Sequence, residues 1–378
     1  MALWPTITSM ALPINLDTIR RAPKVLLHDH LDGGLRTYTI LELAEKIGWH
    51  KRLPSTDLSQ LQNWFTAGAE TADLGKYLAT FEHTIAVMQR ADFIERIAYE
   101  ATVDLAADGV VYAELRFAPE QHQAEGLSMR AVTEAVCAGF RRGEQDALAS
   151  GAAIEVNAIL CAMRTEKRAL DVVRLIAEMA TTEPKVVAFD LAGEETGWPP
   201  SLHSDALQFA RANHLNITLH ASEPPDLELI ADALAHGAHR IGHGVRLNRD
   251  ARVDAHGVLH LGPLAQYVLD HQIHLEMAPT CNTQIGAVAS IADHPIGPFL
   301  RAGFNVSVNT DNRLMSHVRP STEMLAVAQA FQLSWAEIGQ LVRNGVSSAF
   351  SPFARRTALL DNVVDPWFAT AEMADPIG

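Results

Sequence analysis

With 378 residues, 48% of them hydrophobic and 20% charged, the chain reads as a globular protein with a sizeable core, of a length that fits one large α/β domain or two ordinary ones. Thirty Lys+Arg against 45 Asp+Glu give a formal net charge of −15, which argues against an electrostatic grip on nucleic acid or an anionic membrane and for a small-molecule substrate. Cys137, Cys161 and Cys281 show neither metal-knuckle nor disulfide spacing, and the first residues, broken by Pro5 and Pro13, lack the pattern of a secretory signal; a reducing cytoplasmic setting without a membrane span is expected.

In chain order, eight short β-rich runs occur at residues 24–30, 110–117, 154–161, 186–191, 216–221, 240–244, 272–278 and 304–309. Between most of them lie amphipathic stretches, among them 129–148, 167–179, 205–213 and 227–236, with apolar residues at three-to-four spacing. Strands alternating with helices predict an α/β fold, a (β/α)8 TIM barrel, as one domain over residues 1–378, since no linker or fixed-period repeat divides the chain. About eighty residues separate the first two strands and carry helical patterns at 38–48 and 75–108, an insertion that either lids the barrel mouth or enlarges the core. Within it Tyr77, Phe81 and Met88 have the spacing of a buried stripe, more often core than substrate wall. After the eighth strand, helical patterns at 321–331 and 335–346 are expected to close the ring.

In such barrels the carboxyl ends of the strands converge on one mouth, and the polar motifs fall there. His28-Asp29-His30-Leu31-Asp32-Gly33 ends the first strand, and alternation points His28 and His30 to the same side, where two imidazoles can share a metal ion. With 17 histidines, roughly 0.8 such His-x-His pairs arise by chance, so this motif alone carries little. His220-Ala221-Ser222-Glu223 ends the fifth strand, Gly242-His243-Gly244 the sixth and Asn309-Thr310-Asp311-Asn312 the eighth. Each has a plain alternative: a core histidine for His220, a helix-entry carboxylate for Glu223, a turn residue for His243, an N-cap for Asp311. Their joint placement at the strand ends of one barrel favours a common site. Three imidazoles and one carboxylate suit Zn2+ and leave a position for an activated water, while a carboxylate and a histidine outside that set can move protons. This is hydrolytic equipment. The run Asp190-Leu191-Ala192-Gly193-Glu194-Glu195 after the fourth strand offers a glycine where backbone can approach a flat ligand, or simply a helix-start turn.

Eight blocks in order, PKVLLHDHLDG, VVYAELRFAP, ILCAMR, VVAFDLAGEE, LHASE, RIGHGVRL, LEMAPTCN and VSVNTDN, resemble the adenosine deaminase family of metal-dependent amidohydrolases, especially its bacterial members. The resemblance implies a (β/α)8 barrel holding one Zn2+ on His28, His30, His220 and Asp311, and hydrolysis of adenosine, with 2′-deoxyadenosine, to inosine and ammonia. It implies that Glu223 protonates purine N1, that His243 positions the attacking water and assists its deprotonation, and that Asp311 serves catalysis as well as the metal. It further implies contacts to substrate from the Gly193 N–H at N3, from Asp32 at the ribose 5′-hydroxyl, from His30, and from Asn312 at N7. Relatives acting on free adenine usually carry Glu where Asp32 stands, and the shorter residue leaves room for a sugar. Three positions depart from the family pattern. Ser222 replaces a glycine beside Glu223 and adds a side chain near the site. Asn312 replaces a second aspartate, its amide still able to donate to N7. Thr165 stands where many relatives have histidine, and no function attaches to it. Adenine, an aminofutalosine-type nucleoside and an N6-substituted purine remain alternative substrates, and a nucleoside-binding protein without turnover is the non-enzymatic alternative.

Overall fold

A strand covered on both faces is built largely of apolar residues, and each of the eight predicted runs corresponds to a parallel strand. The computed structural model describes residues 12–71, 74–254 and 258–373. Ten strands occur among them: β1 (Lys24–His30), β2 (Val110–Phe117), β3 (Glu155–Met163), β4 (Val186–Ala192), β5 (Asn216–Ala221), β6 (Arg240–His243), β7 (Ala251–Val253), β8 (Leu259–Leu261), β9 (His274–Met277) and β10 (Val306–Val308). Eight pair in parallel in the order β1-β2-β3-β4-β5-β6-β9-β10. β7 and β8 form a separate antiparallel hairpin that the sequence reading did not anticipate, because three-residue strands leave no periodic trace.

The ring closes through side chains as well as backbone. β10 is only three residues long, and the joint to β1 is made by the residues that follow it. The Asp311 N–H donates to the His28 carbonyl (3.0 Å) and the His30 N–H to the Asp311 carbonyl (2.8 Å). Asn309 Oδ1 accepts from the N–H groups of both Leu27 (2.8 Å) and His28 (3.0 Å), standing in for a strand carbonyl. The eight strands thus form a nearly closed (β/α)8 barrel, and its closing joint consists of the motif residues themselves.

Helices Met129–Ala149, Ala169–Met179, Ser204–Ala212 and Glu228–Ala235 lie where the three-to-four spacing put them. The insertion after β1 is helical but more broken than its pattern. The expected single helix over 75–108 is three: Leu74–Ala79, Phe81–Ala86 and Ala91–Ala107. Thr80 marks the first break, its hydroxyl donating 2.6 Å to the Tyr77 carbonyl and competing with the helical ladder. Helix Leu58–Ala69 was not anticipated, although Asp57 caps it by accepting from the Gln60 N–H at 2.9 Å. At the other end, Pro320–Phe331 and Trp335–Ser348 occupy the predicted positions, and Phe353–Leu359 and Asp365–Met373 extend beyond them. Trp335 meets Trp367 edge-on at 5.2 Å and fastens that extension to the barrel.

Candidate active site

At the carboxyl ends of β1, β5 and β10 the side chains of His28, His30, His220 and Asp311 converge, with one ligating atom of each within 4.8 Å of all the others. His30 Nε2 lies 3.2 Å from His220 Nε2 and 3.3 Å from Asp311 Oδ1, and His28 Nε2 lies 3.4 Å from the same oxygen. Alternation along β1 turns Asp29 the other way, where it accepts from the Thr310 hydroxyl and Arg313 Nε, both at 2.7 Å.

The donor set fits a divalent metal ion. His28 donates from Nδ1 to Glu276 Oε2 at 2.9 Å, which leaves Nε2 as a lone pair, and that buried nitrogen has no hydrogen-bond partner among the described residues. Asp190 Oδ2 lies 2.8 Å from His220 Nδ1 and fixes the second imidazole in the same sense. Carboxylates behind ligating histidines are the usual means of setting tautomer and ring orientation. Burial first, then the Arg116 charge and neighbouring imidazoles, hold His28 well below the ordinary imidazole range, so it remains neutral. For His30 the cause is again burial, with His220 next.

Arg116, fully buried on β2, joins the two supporting carboxylates. It donates to Asp190 Oδ2 (2.7 Å), Glu276 Oε2 (2.6 Å) and the Leu27 carbonyl (2.7 Å). Despite burial, His220 and Arg116 hold the Asp190 carboxyl at about 2, and Arg116 with Arg240 holds Glu276 at about 2.

Glu223 and His243 sit beside this cluster, Glu223 Oε1 3.3 Å from His243 Nε2. Burial, then the charges of Glu195 and Asp311, pushes the Glu223 carboxyl well above the usual carboxylate range, the direction that favours a proton donor. Glu195, itself buried, accepts from the backbone N–H of Ser222 (2.8 Å) and Glu223 (3.3 Å) and fixes the turn that presents Glu223. Ser222 adopts φ +68°, a left-handed conformation suited to glycine, and its buried hydroxyl has no partner among the described residues.

Asp32, 4% exposed, lies 3.9 Å from His30 Nδ1 and 4.0 Å from His122 Nε2, and burial pushes its carboxyl up to about 7. Gly193 follows β4 at φ +91°, where a Cβ would stand 2.8 Å from Met163 Cε. Asn312 packs against Gly33, on which a Cβ would fall 2.0 Å from Asn312 Oδ1; that oxygen has no partner among the described residues. Thr165 is exposed.

The adenosine deaminase profile matches residues 23–366, a span that contains every barrel strand. The chain belongs to the adenosine deaminase family. It is an enzyme, a hydrolase of the amidohydrolase type. It is 48% identical over 363 residues to the adenosine deaminase of Mycolicibacterium vanbaalenii, covering 95% of this chain and 99% of that one. With the adenosine deaminase of Mycobacterium leprae it shares 47% identity over 363 residues, at 95% and 99% coverage. Among solved structures it is similar to the adenine deaminase of Arthrobacter aurescens, with TM-score 0.78 and 25% identity over 92% of this chain and 99% of that one. It is likewise similar to the N6-mAMP deaminase of Arabidopsis, with TM-score 0.78 and 26% identity over 93% and 99%.

Within this adenosine deaminase family member, the structure brings together His28, His30, His220, Asp311, Asp32, Glu223 and His243, leaves Thr165 exposed, and adds others. Arg116, Asp190 and Glu276 lie inside the quoted sequence blocks yet were assigned nothing. Their trace was a charged residue inside an otherwise apolar strand, which means an interior ion pair only once burial is known. Tyr77 and Met88 are buried as their spacing suggests, but Tyr77 also reaches Cys281, hydroxyl to Sγ 3.9 Å, and Phe81 meets the His30 ring at 6.5 Å. The insertion therefore both enlarges the core and borders the site.

Proposed function

We propose that this deaminase hydrolyses the 6-amino group of adenosine, and of 2′-deoxyadenosine, to give inosine and ammonia, working as a single hydrolase domain over residues 1–378. The observation that carries the reading is the buried Glu223 carboxyl paired with His243 beside a three-histidine, one-aspartate cluster. The names of the relatives at 48% and 47% identity support adenosine over the purines named for the more distant structures.

In this reading one Zn2+ is held by His28, His30, His220 and Asp311. The chemistry such an ion supplies when bound is the activation of water near neutral pH. The other steps belong to the chain. Glu223 donates its proton to purine N1, which draws electron density from C6 and opens it to water. His243 faces the attacking oxygen with Nε2, Asp311 borders the same oxygen, and ammonia leaves as the C6–N bond breaks. The Gly193 N–H donates to N3, where the absence of a Cβ lets a flat ring approach, and the Asn312 amide donates to N7. Asp32 accepts from the ribose 5′-hydroxyl, and His30 lines the same side. Three free, buried cysteines support a reducing cytoplasmic setting. Among the described residues no helix is long and apolar enough to cross a membrane.

Ammonia release from the metal-loaded protein, measured with adenosine, 2′-deoxyadenosine, adenine, an aminofutalosine-type nucleoside and an N6-methylated purine, tests the reading. Adenosine should give the highest kcat/KM; far faster turnover of another member would displace it, and release from none would leave a nucleoside-binding role. In the same panel Asp32→Ala should weaken nucleosides far more than adenine. Equal losses would remove Asp32 from the ribose.

A further inference from the structure

Behind His243 runs a buried chain of hydrogen bonds that none of the roles above employs. The Ile296 N–H donates to His294 Nδ1 at 3.1 Å, His294 Nε2 meets Asn282 Oδ1 at 3.0 Å, and Asn282 Nδ2 meets His243 Nδ1 at 3.0 Å. His294 is 1% exposed, and Asn282 and His243 are 0% exposed.

The direction of this chain is set at its far end. A backbone N–H is a donor and nothing else, so His294 Nδ1 must accept and the His294 proton sits on Nε2. That proton requires an oxygen opposite it, which orients the Asn282 amide with Oδ1 toward His294. The Asn282 NH2 then faces His243, and His243 Nδ1 must accept. A proton on Nδ1 would put donor against donor in a buried place and leave both groups unmet.

We propose that Asn282 and His294 are positioning residues that fix His243 as a neutral imidazole with its proton on Nε2. His243 then offers the reacting oxygen a hydrogen-bond donor and not a lone pair. It holds and orients that oxygen, while removal of the water proton falls to another acceptor, for which Asp311 is the carboxylate of the three-histidine cluster. The inference rests on the deaminase reading for its consequence in turnover, but the tautomer is a property of the resting protein.

The sharpest variant is Asn282→Asp, which keeps the shape of the side chain and accepts in both directions. It still receives the His294 proton and now demands one from His243 Nδ1, reversing the tautomer. Nitrogen NMR of histidine-labelled, metal-loaded protein reads this directly, the His243 resonances being those lost in His243→Ala. The wild type should show the proton on Nε2 and Asn282→Asp should show it on Nδ1, with kcat reduced by about tenfold or more and KM and metal content little changed. His294→Gln retains a donor to Asn282 and should keep kcat within about threefold of wild type, whereas His294→Leu should lose as much as Asn282→Asp. A wild-type His243 protonated on Nδ1, or an Asn282→Asp protein with unchanged tautomer and kcat, overturns the proposal. So does equal loss in His294→Gln and His294→Leu, which marks a role in folding alone. An NMR result as expected in a protein that does not turn over adenosine would refute the substrate and leave the relay standing.

Discussion

Three residues at the mouth, none of them glycine, hold left-handed backbone: Ser222 at φ +68°, His243 at +60° and Asp311 at +56°. Each comes where a strand ends and a functional side chain must turn inward, and such strain persists only where surrounding contacts over-determine it. For His243 and Asp311 the side chain is the reason. For Ser222 it is not, since its hydroxyl is buried without a partner among the described residues. Ser222→Gly should therefore stabilise the protein by about 1 kcal/mol, the relief of left-handed strain and of an unmet hydroxyl outweighing the entropy that glycine adds to the unfolded chain. Urea unfolding of the metal-loaded protein checks the sign, and a destabilised variant would mean that the hydroxyl has a partner. Glu223→Gln tests the neighbouring residue. Zinc content should hold while kcat falls by about 10²-fold or more, because the amide has no acidic proton for N1; near-normal turnover would take Glu223 out of the mechanism. His28, His30 and Asp311 were legible because alternation and strand-end placement speak directly from sequence. The left-handed φ at Ser222 was not read from the sequence; resemblance marked only a departure from glycine there, and a serine looks locally like any other turn residue.

Among the elements, the long barrel strands stood out because both faces are buried and most positions are apolar, whereas β7 and β8 at three residues and the helix Pro279–Gln284 at six are too short for any period to register. That short helix nonetheless carries Cys281 and Asn282 into the site, and its start is held from a distant element. Glu323 on helix Pro320–Phe331 accepts from the Thr280 N–H at 2.7 Å and from the Thr280 hydroxyl. Burial raises the Glu323 carboxyl to about 7 against an ordinary 4.5. The folded state thus binds this proton more tightly than the unfolded state. The stability it contributes is complete below about pH 4.5 and is lost as pH rises through about 7. Relative to Glu323→Gln, the wild type should lose up to about 3 kcal/mol between pH 5 and 8, read from paired unfolding curves in the same buffers. A constant difference across that range would mean that the carboxyl is ionised throughout.

Across the whole molecule, charge is placed where the fold can least tolerate it unpaired. Asp190 on β4, Arg116 on β2, Glu276 on β9, Arg240 on β6 and Glu114 on β2 form one ion-pair path through the barrel interior, with contacts of 2.6–2.7 Å and every member 0–1% exposed. Four strands far apart in sequence are joined by it, which is why no local pattern announced it; the pairing exists only when the ring is closed. The path is a weak source of net stability, because desolvation of buried ions offsets much of their attraction. Its value lies at its upper end, where Glu276 and Asp190 set the tautomers of His28 and His220. Arg116→Met separates the two effects. Removing one partner leaves two buried carboxylates without their shared cation and should cost about 3–5 kcal/mol in unfolding experiments. Metal affinity should fall by about 10–100-fold in chelator competition, since protonated carboxyls no longer orient the imidazoles behind which they stand. Loss of stability with metal affinity unchanged would show that His28 and His220 are oriented by packing alone, and that the ion-pair path serves only to lock the barrel.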